Sequence, residues 1–225
     1  MKTAMAAAVA VAGATWVAAG QTTQVKLNEA DGAGERNHSV YLGFGFGPTQ
    51  FKAANTQREV NGIDFAFSAD AEDLGGLICA GGWITDHVGV ELGGRSYGTI
   101  DAPFTFHDPH DNSAGTGESQ VTITGANLSL LLGVDIVREV QFVGRAGALM
   151  WQEDYDSRFD IPGRPAIHAK MEDSGTGGTL GVALTYRFAP GWQLEGRYEY
   201  ATLDKDRVTL VTLGLSYDFV GLLSR

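Results

Sequence analysis

Eight segments of the chain alternate apolar residues with polar or small ones at a period of two: roughly 39–48, 73–84, 88–98, 119–134, 140–154, 176–188, 192–203 and 207–219. Such a period places successive side chains on opposite faces of a strand. No helical period competes after residue 38. Most segments are about ten residues or slightly longer, the length a tilted strand needs to cross a bilayer.

The two faces differ in kind. Val40, Leu42, Phe44 and Phe46 oppose Tyr41, Gly43, Gly45 and Gly47; Leu180, Val182, Leu184, Tyr186 and Phe188 oppose Thr179, Gly181, Ala183, Thr185 and Arg187. Val211, Leu213, Leu215, Tyr217 and Phe219 oppose Thr212, Gly214, Ser216 and Asp218. In "WQLEGRYEYATL" the set Leu194, Gly196, Tyr198, Tyr200 opposes Glu195, Arg197, Glu199. The stretch "LGGLICAGGWI" is too uniformly small or apolar for a face to be assigned. One face is thus an aliphatic coat ending in aromatics beside Ala189-Pro190-Gly191, and the other is Gly, Ser, Thr and a few charges. Large residues facing lipid and small ones filling a narrow lumen is the arrangement that fits both. Tyr198 and Tyr200 therefore face lipid, with Glu195, Arg197 and Glu199 inward.

The connections sort by length. Thr85-Asp86-His87, 135–139 and Ala189-Pro190-Gly191 are tight turns, whereas 49–72, 99–118 and 155–175 are long and polar; Asp204-Lys205-Asp206 alone breaks the alternation. A soluble sandwich has no reason to sort its loops by end, and an outer-membrane barrel does. The pattern predicts an all-β, eight-stranded antiparallel up-and-down transmembrane β-barrel over 39–219.

Composition sharpens this picture. Gly supplies 31 residues and Pro only 6, as expected of many strands joined by turns. The net charge of −11 disfavours nucleic acid as a partner. Cys79 is the single cysteine, so no internal disulfide and no Cys-based metal site can form, and it reads as a small packed apolar residue. "MKTAMAAAVAVAGATWVAAG" reads as a signal peptide over 1–20, cleaved after Ala19 or Gly20, which predicts export. Residues 21–38 read as a flexible periplasmic lead-in and 220–225 as a short tail.

The inward set holds Glu91, Glu195, Glu199 and Asp218 against Arg95, Arg145, Arg187 and Arg197. A lone buried charge costs several kcal/mol, so a dry lumen requires pairing, and Arg forks suit carboxylates. The balance predicts a plugged, charge-paired interior; a salt-bridge gate over a narrow ion path and an active site are the alternatives.

From about 39 to 219 the chain resembles the eight-stranded outer-membrane barrels of the OmpA/OmpX type. "GVELGGRSYG" looks like that family's third strand with Glu91 inward, and "QFVGRAGALMW" like its fifth, with Arg145 inward and Trp151 near the far end. "TLGLSYDF" is similar to the signal read by the barrel-assembly machinery, carried by Thr212, Gly214, Tyr217 and Phe219. The resemblance implies insertion in a Gram-negative outer membrane; a monomer in contact with that membrane's lipids and lipopolysaccharide is expected. Only "VGLLSR" follows Phe219, so no OmpA-type peptidoglycan-binding domain is expected.

Small barrels of this kind serve as structural proteins, adhesins, narrow pores or lipid-modifying enzymes. "FHDPHDN" gathers His107, Asp108, His110 and Asp111, a weak candidate for a divalent metal, though Pro109 marks a turn where polar residues collect anyway. Asp101, Asp108, Asp111, Asp154, Asp156, Asp160, Glu172 and Asp173 would face the exterior and could share Ca²⁺ or Mg²⁺ with lipopolysaccharide. A lipid hydrolase or acyltransferase would need a nucleophile beside His38, His87, His107, His110 or His168, and the adjacent Ser39 points away from His38's face. No cofactor is expected. A soluble lipocalin-like barrel predicts the opposite faces. The sequence thus favours a structural or surface-interaction role through exterior loops, with a narrow pore second and an outer-membrane lipid-modifying enzyme third.

Overall fold

The computed structural model describes residues 39–52, 56–60, 63–67, 70–108, 113–160, 165–204 and 206–219. The expected signal peptide, the lead-in and the tail 220–225 lie outside them, as do His38, His110 and Asp111. The strands in chain order are β1 (Val40–Lys52), β2 (Thr56–Val60), β3 (Ile63–Phe67), β4 (Asp70–Trp83), β5 (Val88–Asp108), β6 (Ser113–Val137), β7 (Val140–Asp160), β8 (Ile167–Ala189), β9 (Trp192–Leu203) and β10 (Asp206–Phe219). Every pairing is antiparallel; β1 and β4–β10 close into a ring of eight, and the β2–β3 hairpin hangs on the upper part of β5.

The register fixes the dimensions. Following Cα partners from Tyr41 through Gly81, Glu91, Ser129, Gly147, Thr179, Ala201 and Val208 returns to β1 at Phe51, ten residues further along. With eight strands about 4.8 Å apart and about 3.3 Å per residue, that stagger tilts the strands by about 40° at a backbone radius of about 8 Å. Side chains alone fill such a tube.

Outside, Leu42, Phe44, Phe46, Ile78, Leu92, Leu128, Leu130, Leu132, Leu180, Leu184 and Leu213 are all exposed. On β6 the coat runs from Ala126 to Ile136, which at about 3.3 Å per residue and about 40° of tilt makes a band about 25 Å tall. Trp192, Tyr217 and Phe219 stack edge-to-face at its short-turn rim, with ring centroids 5.0 and 4.8 Å apart. Gly191 turns there in the left-handed region (φ 75°) and its carbonyl accepts from the Asp218 amide at 2.7 Å. The band makes a checkable prediction. Leu92, 61% exposed near its middle, when changed to Arg destabilises the refolded barrel in lipid vesicles by about 2–4 kcal/mol. Urea unfolding measures it, and a neutral result would mean that this face meets water.

At the opposite end the sequence reading needs correction. The long polar connections 99–118 and 155–175 are chiefly strand: β5 runs to Asp108, β6 starts at Ser113, β7 ends at Asp160 and β8 starts at Ile167. Part of 49–72 is the β2–β3 hairpin. β9 and β10 stop at Leu203 and Asp206, and β8 pairs with β9 only from Thr179 on. The barrel thus carries a one-sided wall made of β5–β8 and continued past β5 by the β2–β3 hairpin. From Met150, at the top of the coat, to Asp160 it rises by about 25 Å at the same tilt.

The stretch 73–84, whose face the sequence left open, points Leu77, Cys79 and Trp83 inward and Leu74 and Ile78 outward. The lumen is also richer in large apolar residues than the sequence suggested. Tyr97, Ile100, Ile123, Leu149, Trp151, Leu203, Val208 and Leu210 all point into it and are buried. Small residues and a few ion pairs cannot fill a tube of this length, and the upper half is closed by these side chains.

Candidate functional site

Alternation brings one residue in two from each strand into the lumen, and the stagger sets their heights. Glu91 and Arg95 come from β5, Arg145 from β7, and Glu195, Arg197 and Glu199 from β9. They meet near the middle of the apolar band. Arg197 donates through Nη1 and Nη2 to the two oxygens of Glu91, both at 3.0 Å, and through Nε to Glu195 at 2.7 Å. Arg95 forks onto Glu199 at 3.0 and 3.1 Å and reaches Glu91 at 3.3 Å. Arg145 donates Nη2 to Glu195 at 2.7 Å and lies 3.5 Å from Glu91. Glu91 is the hub, since all three guanidiniums touch it. Three acids meet three arginines, so the cluster is formally neutral, the condition under which a low-dielectric interior tolerates charge.

Sequence reasoning grouped Arg187 and Asp218 with these six. The register sets both apart, at the short-turn rim. Arg187 lies 3.5 Å from Asp135, partly exposed, and Asp218 accepts from Gln193 Nε2 at 3.3 Å. Both sit near the ends of their strands, too far along to reach the centre. The sequence missed two tyrosines. Tyr41 donates its hydroxyl to Glu91 at 2.7 Å, and Tyr97 donates to Glu199 at 3.4 Å. Tyr97 was readable, because it continues the inward parity of Glu91 and Arg95. The thiol of Cys79 is buried 3.8 Å from Arg197 Nη2, so it packs against a charge as well as apolar neighbours.

Above this cluster sits the apolar layer, and above that the wall. On its inner face Phe159 packs edge-on against Phe104 and Phe106, with ring centroids 5.1 and 5.7 Å apart. Phe104 and Phe106 stand opposite Gly117 and Gly115 on β6, which leave room for their rings. Ser119 and Ser157 share a hydrogen bond of 2.8 Å, and the Tyr155 hydroxyl donates to Glu153. Ile167 and Met171 of β8 lie on the same face, about half exposed. A bulge between Ser96 and Thr99 shifts the parity of β5, with Gly98 in the left-handed region (φ 89°) and the Thr99 amide donating to Asp73 at 2.6 Å.

The outer face of the wall is polar. Thr99 and Thr122 share a hydrogen bond of 2.9 Å, Lys170 pairs with Asp156 at 3.0 Å and Arg158 with Asp160 at 3.2 Å. Asp154 stands directly opposite Glu172, and on the inner face Glu153 stands opposite Asp173. His107 and His168 are exposed on the wall, and His87 lies in a short turn with Nδ1 3.1 Å from the Gly133 carbonyl. Of the weak metal candidates, only His107 has a described side chain. The residues expected from the sequence to form an assembly signal lie along β10: Thr212 and Gly214 point inward, and Tyr217 and Phe219 form the rim aromatics.

The family model described as the outer membrane protein beta-barrel domain matches residues 4–219. No curated protein matches the chain. Among solved structures, outer membrane protein OprG from Pseudomonas aeruginosa is similar at 12% identity and a TM-score of 0.50, over 84% of this chain and 99% of that one. Ail, the attachment invasion locus protein of Yersinia pestis, in complex with the heparin analogue sucrose octasulfate, is similar at 16% identity and 0.49, over 81% and 99%. Outer membrane protein AlkL in DMPC bilayers is similar at 15% and 0.47, over 84% and 94%. At 12% identity the likeness to OprG speaks to fold alone.

Proposed function

From the premise that this chain belongs to the outer-membrane protein β-barrel family, and so is an integral protein of that membrane, we propose that it is a closed barrel acting as a surface-interaction element. The observation that carries this reading is the division of the molecule along its axis. The lumen is filled by a charge-paired cluster below an apolar layer, while β5–β8 continue well beyond the lipid band. The wall ends on one side in β8, whose residues 167–177 have no backbone partner beyond β7 among the described residues. An open strand edge offers unpaired amides and carbonyls to a partner, and Ile167 and Met171 offer apolar area beside it.

The acids of the outer face define a second contact. Asp154 and Glu172 are like charges directly opposed, an arrangement that destabilises a sheet unless a cation lies between them. At this height above the band, Ca²⁺ or Mg²⁺ shared with lipopolysaccharide phosphates would supply it. Thr212, Gly214, Tyr217 and Phe219 are proposed as the assembly signal, residues 1–20 as the export signal, and the barrel as a monomer.

A narrow pore is the second reading, favoured by the position of six charges at mid-membrane. Conductance of the refolded chain in planar bilayers, beside a Glu199→Ala variant, separates the two. Silence from both, with insertion verified, is the expected result. Discrete openings that change with the variant would make the cluster a gate and the protein a channel.

A further inference from the structure

The chain has 27 acidic and 16 basic residues, so its cations have carboxylates to spare. On the outer face of the wall two of them use one: Lys170 meets Asp156 at 3.0 Å and Arg158 meets Asp160 at 3.2 Å. Lys52 and Arg207 do not. They are direct Cα partners in the β1–β10 ladder, both exposed and both on the outward parity of their strands. Partners on one face bring their Cβ atoms to about 5 Å, and like charges so placed destabilise the pair. Among the described residues neither cation has a carboxylate within ion-pair distance. Asp70 is the Cα partner of Lys52 on its β4 side, and Glu72, one rung below, accepts from Gln50 Nε2 at 3.5 Å.

The pair stands where the apolar coat ends. Below Arg207 the outward positions of β10 pass from Thr209 to Val211 and Leu213, and below Lys52 those of β1 pass from Gln50 to Phe46. Arg207 lies ten residues from Tyr217 of the short-turn rim. At about 3.3 Å per residue and about 40° of tilt that is about 25 Å, the height of the lipid band. Tyr200 is the Cα partner of Thr209, so two hydroxyl-bearing side chains share the rung beneath the cations. β9 and β10 turn over just above, at the exposed Asp204, and the long strands do not cover this side.

We infer that Lys52 and Arg207 hold the phosphate of an outer-leaflet lipid, whose acyl chains lie against Val211, Leu213 and Phe46. A phosphate between them turns a repulsive pair into an attractive triad: the Arg fork takes two of its oxygens and Lys acts as a point charge. The apolar positions directly below add contacts that a free anion would not use. Where the acids of the wall need a divalent ion between themselves and a lipid phosphate, this side meets it directly. The site rests on the membrane placement that the family gives, and it stands whether the lumen is closed or conducts.

Spin-labelled phosphatidic acid tests this. Its association with the refolded chain in phosphatidylcholine vesicles is compared with that of spin-labelled phosphatidylcholine. The expected result is a preference on the order of tenfold at low salt, the size that two cations give at a lipid surface. Lys52→Gln and Arg207→Gln each reduce it, and the double variant abolishes it. Arg158→Gln/Lys170→Gln, which removes the same charge from the wall, leaves it intact. Urea unfolding gives an independent reading, because the double variant removes an opposed pair of like charges. Its midpoint is at or above that of the unaltered chain in phosphatidylcholine and below it in vesicles containing phosphatidic acid. No preference in the unaltered chain, one that survives the double variant, or one that falls equally with the wall variant would overturn the site. Loss of the preference to inorganic phosphate at matched ionic strength would overturn the lipid assignment, leaving a site for free anions.

Discussion

Arg197→Ala lowers the unfolding free energy of the refolded barrel by about 3–5 kcal/mol, the cost of breaking a buried ion pair from one side. Arg197 gives two hydrogen bonds of 3.0 Å to Glu91 and one of 2.7 Å to Glu195. Without it, three carboxylates face only Arg95 and Arg145 in the middle of the membrane. A shift of the urea midpoint in lipid vesicles at constant slope is the readout. The double variant Arg197→Ala/Glu195→Gln restores the charge balance and recovers part of the loss, which a full mutant cycle isolates as a coupling energy. An unchanged midpoint for the single variant would refute the inward placement of this strand. The figure measures a broken pair and not the worth of the cluster, because replacing all six charges by well-packed apolar groups is often neutral.

Leu149→Ala is the second large effect, about 2–5 kcal/mol for a buried leucine whose space cannot collapse. Leu149 is fully buried and lies over Gly125 on β6, while its Cα partner on β8 is Gly177. Neither glycine carries a side chain that could move into the gap. The same unfolding assay checks it. A loss below about 1 kcal/mol would mean that the apolar layer is loosely filled, which would favour the pore reading.

The membrane part of this fold was legible because lipid imposes a strict contrast. Leu180, Val182 and Leu184 against Thr179, Gly181 and Ala183 leave only one parity, and the short turns at Asp86 and Pro190 mark one end. The wall was illegible for the opposite reason. In "SAGTGESQ" both faces are small or polar, so the start of β6 carries no period to read. In β5 the bulge at Gly98 breaks the parity, and Ile100, Ala102, Phe104 and Phe106 then point inward one residue out of step with Tyr97. Six members of the charged cluster were visible from parity alone. What parity does not encode is height, which comes from the stagger between strands; this is why Arg187 and Asp218 were grouped with partners they do not reach. The apolar layer was missed because its members are scattered singly, one or two to a strand, among residues that otherwise look small or polar.

The unequal heights of the two halves of the rim give this molecule an azimuth. Most of a cylinder embedded in a fluid sheet looks the same from every in-plane direction, but a parapet on β5–β8 divides its neighbours into two populations. A molecule drifting in over the low sill at Leu203–Asp206 meets the half-exposed Ile167 and Met171. One arriving from behind meets a hydrophilic screen of threonines, glutamine and acids. Encounters therefore depend on the rotational angle of the protein about the membrane normal, so that spinning in place, as well as travelling, is part of how this barrel would sample its surroundings.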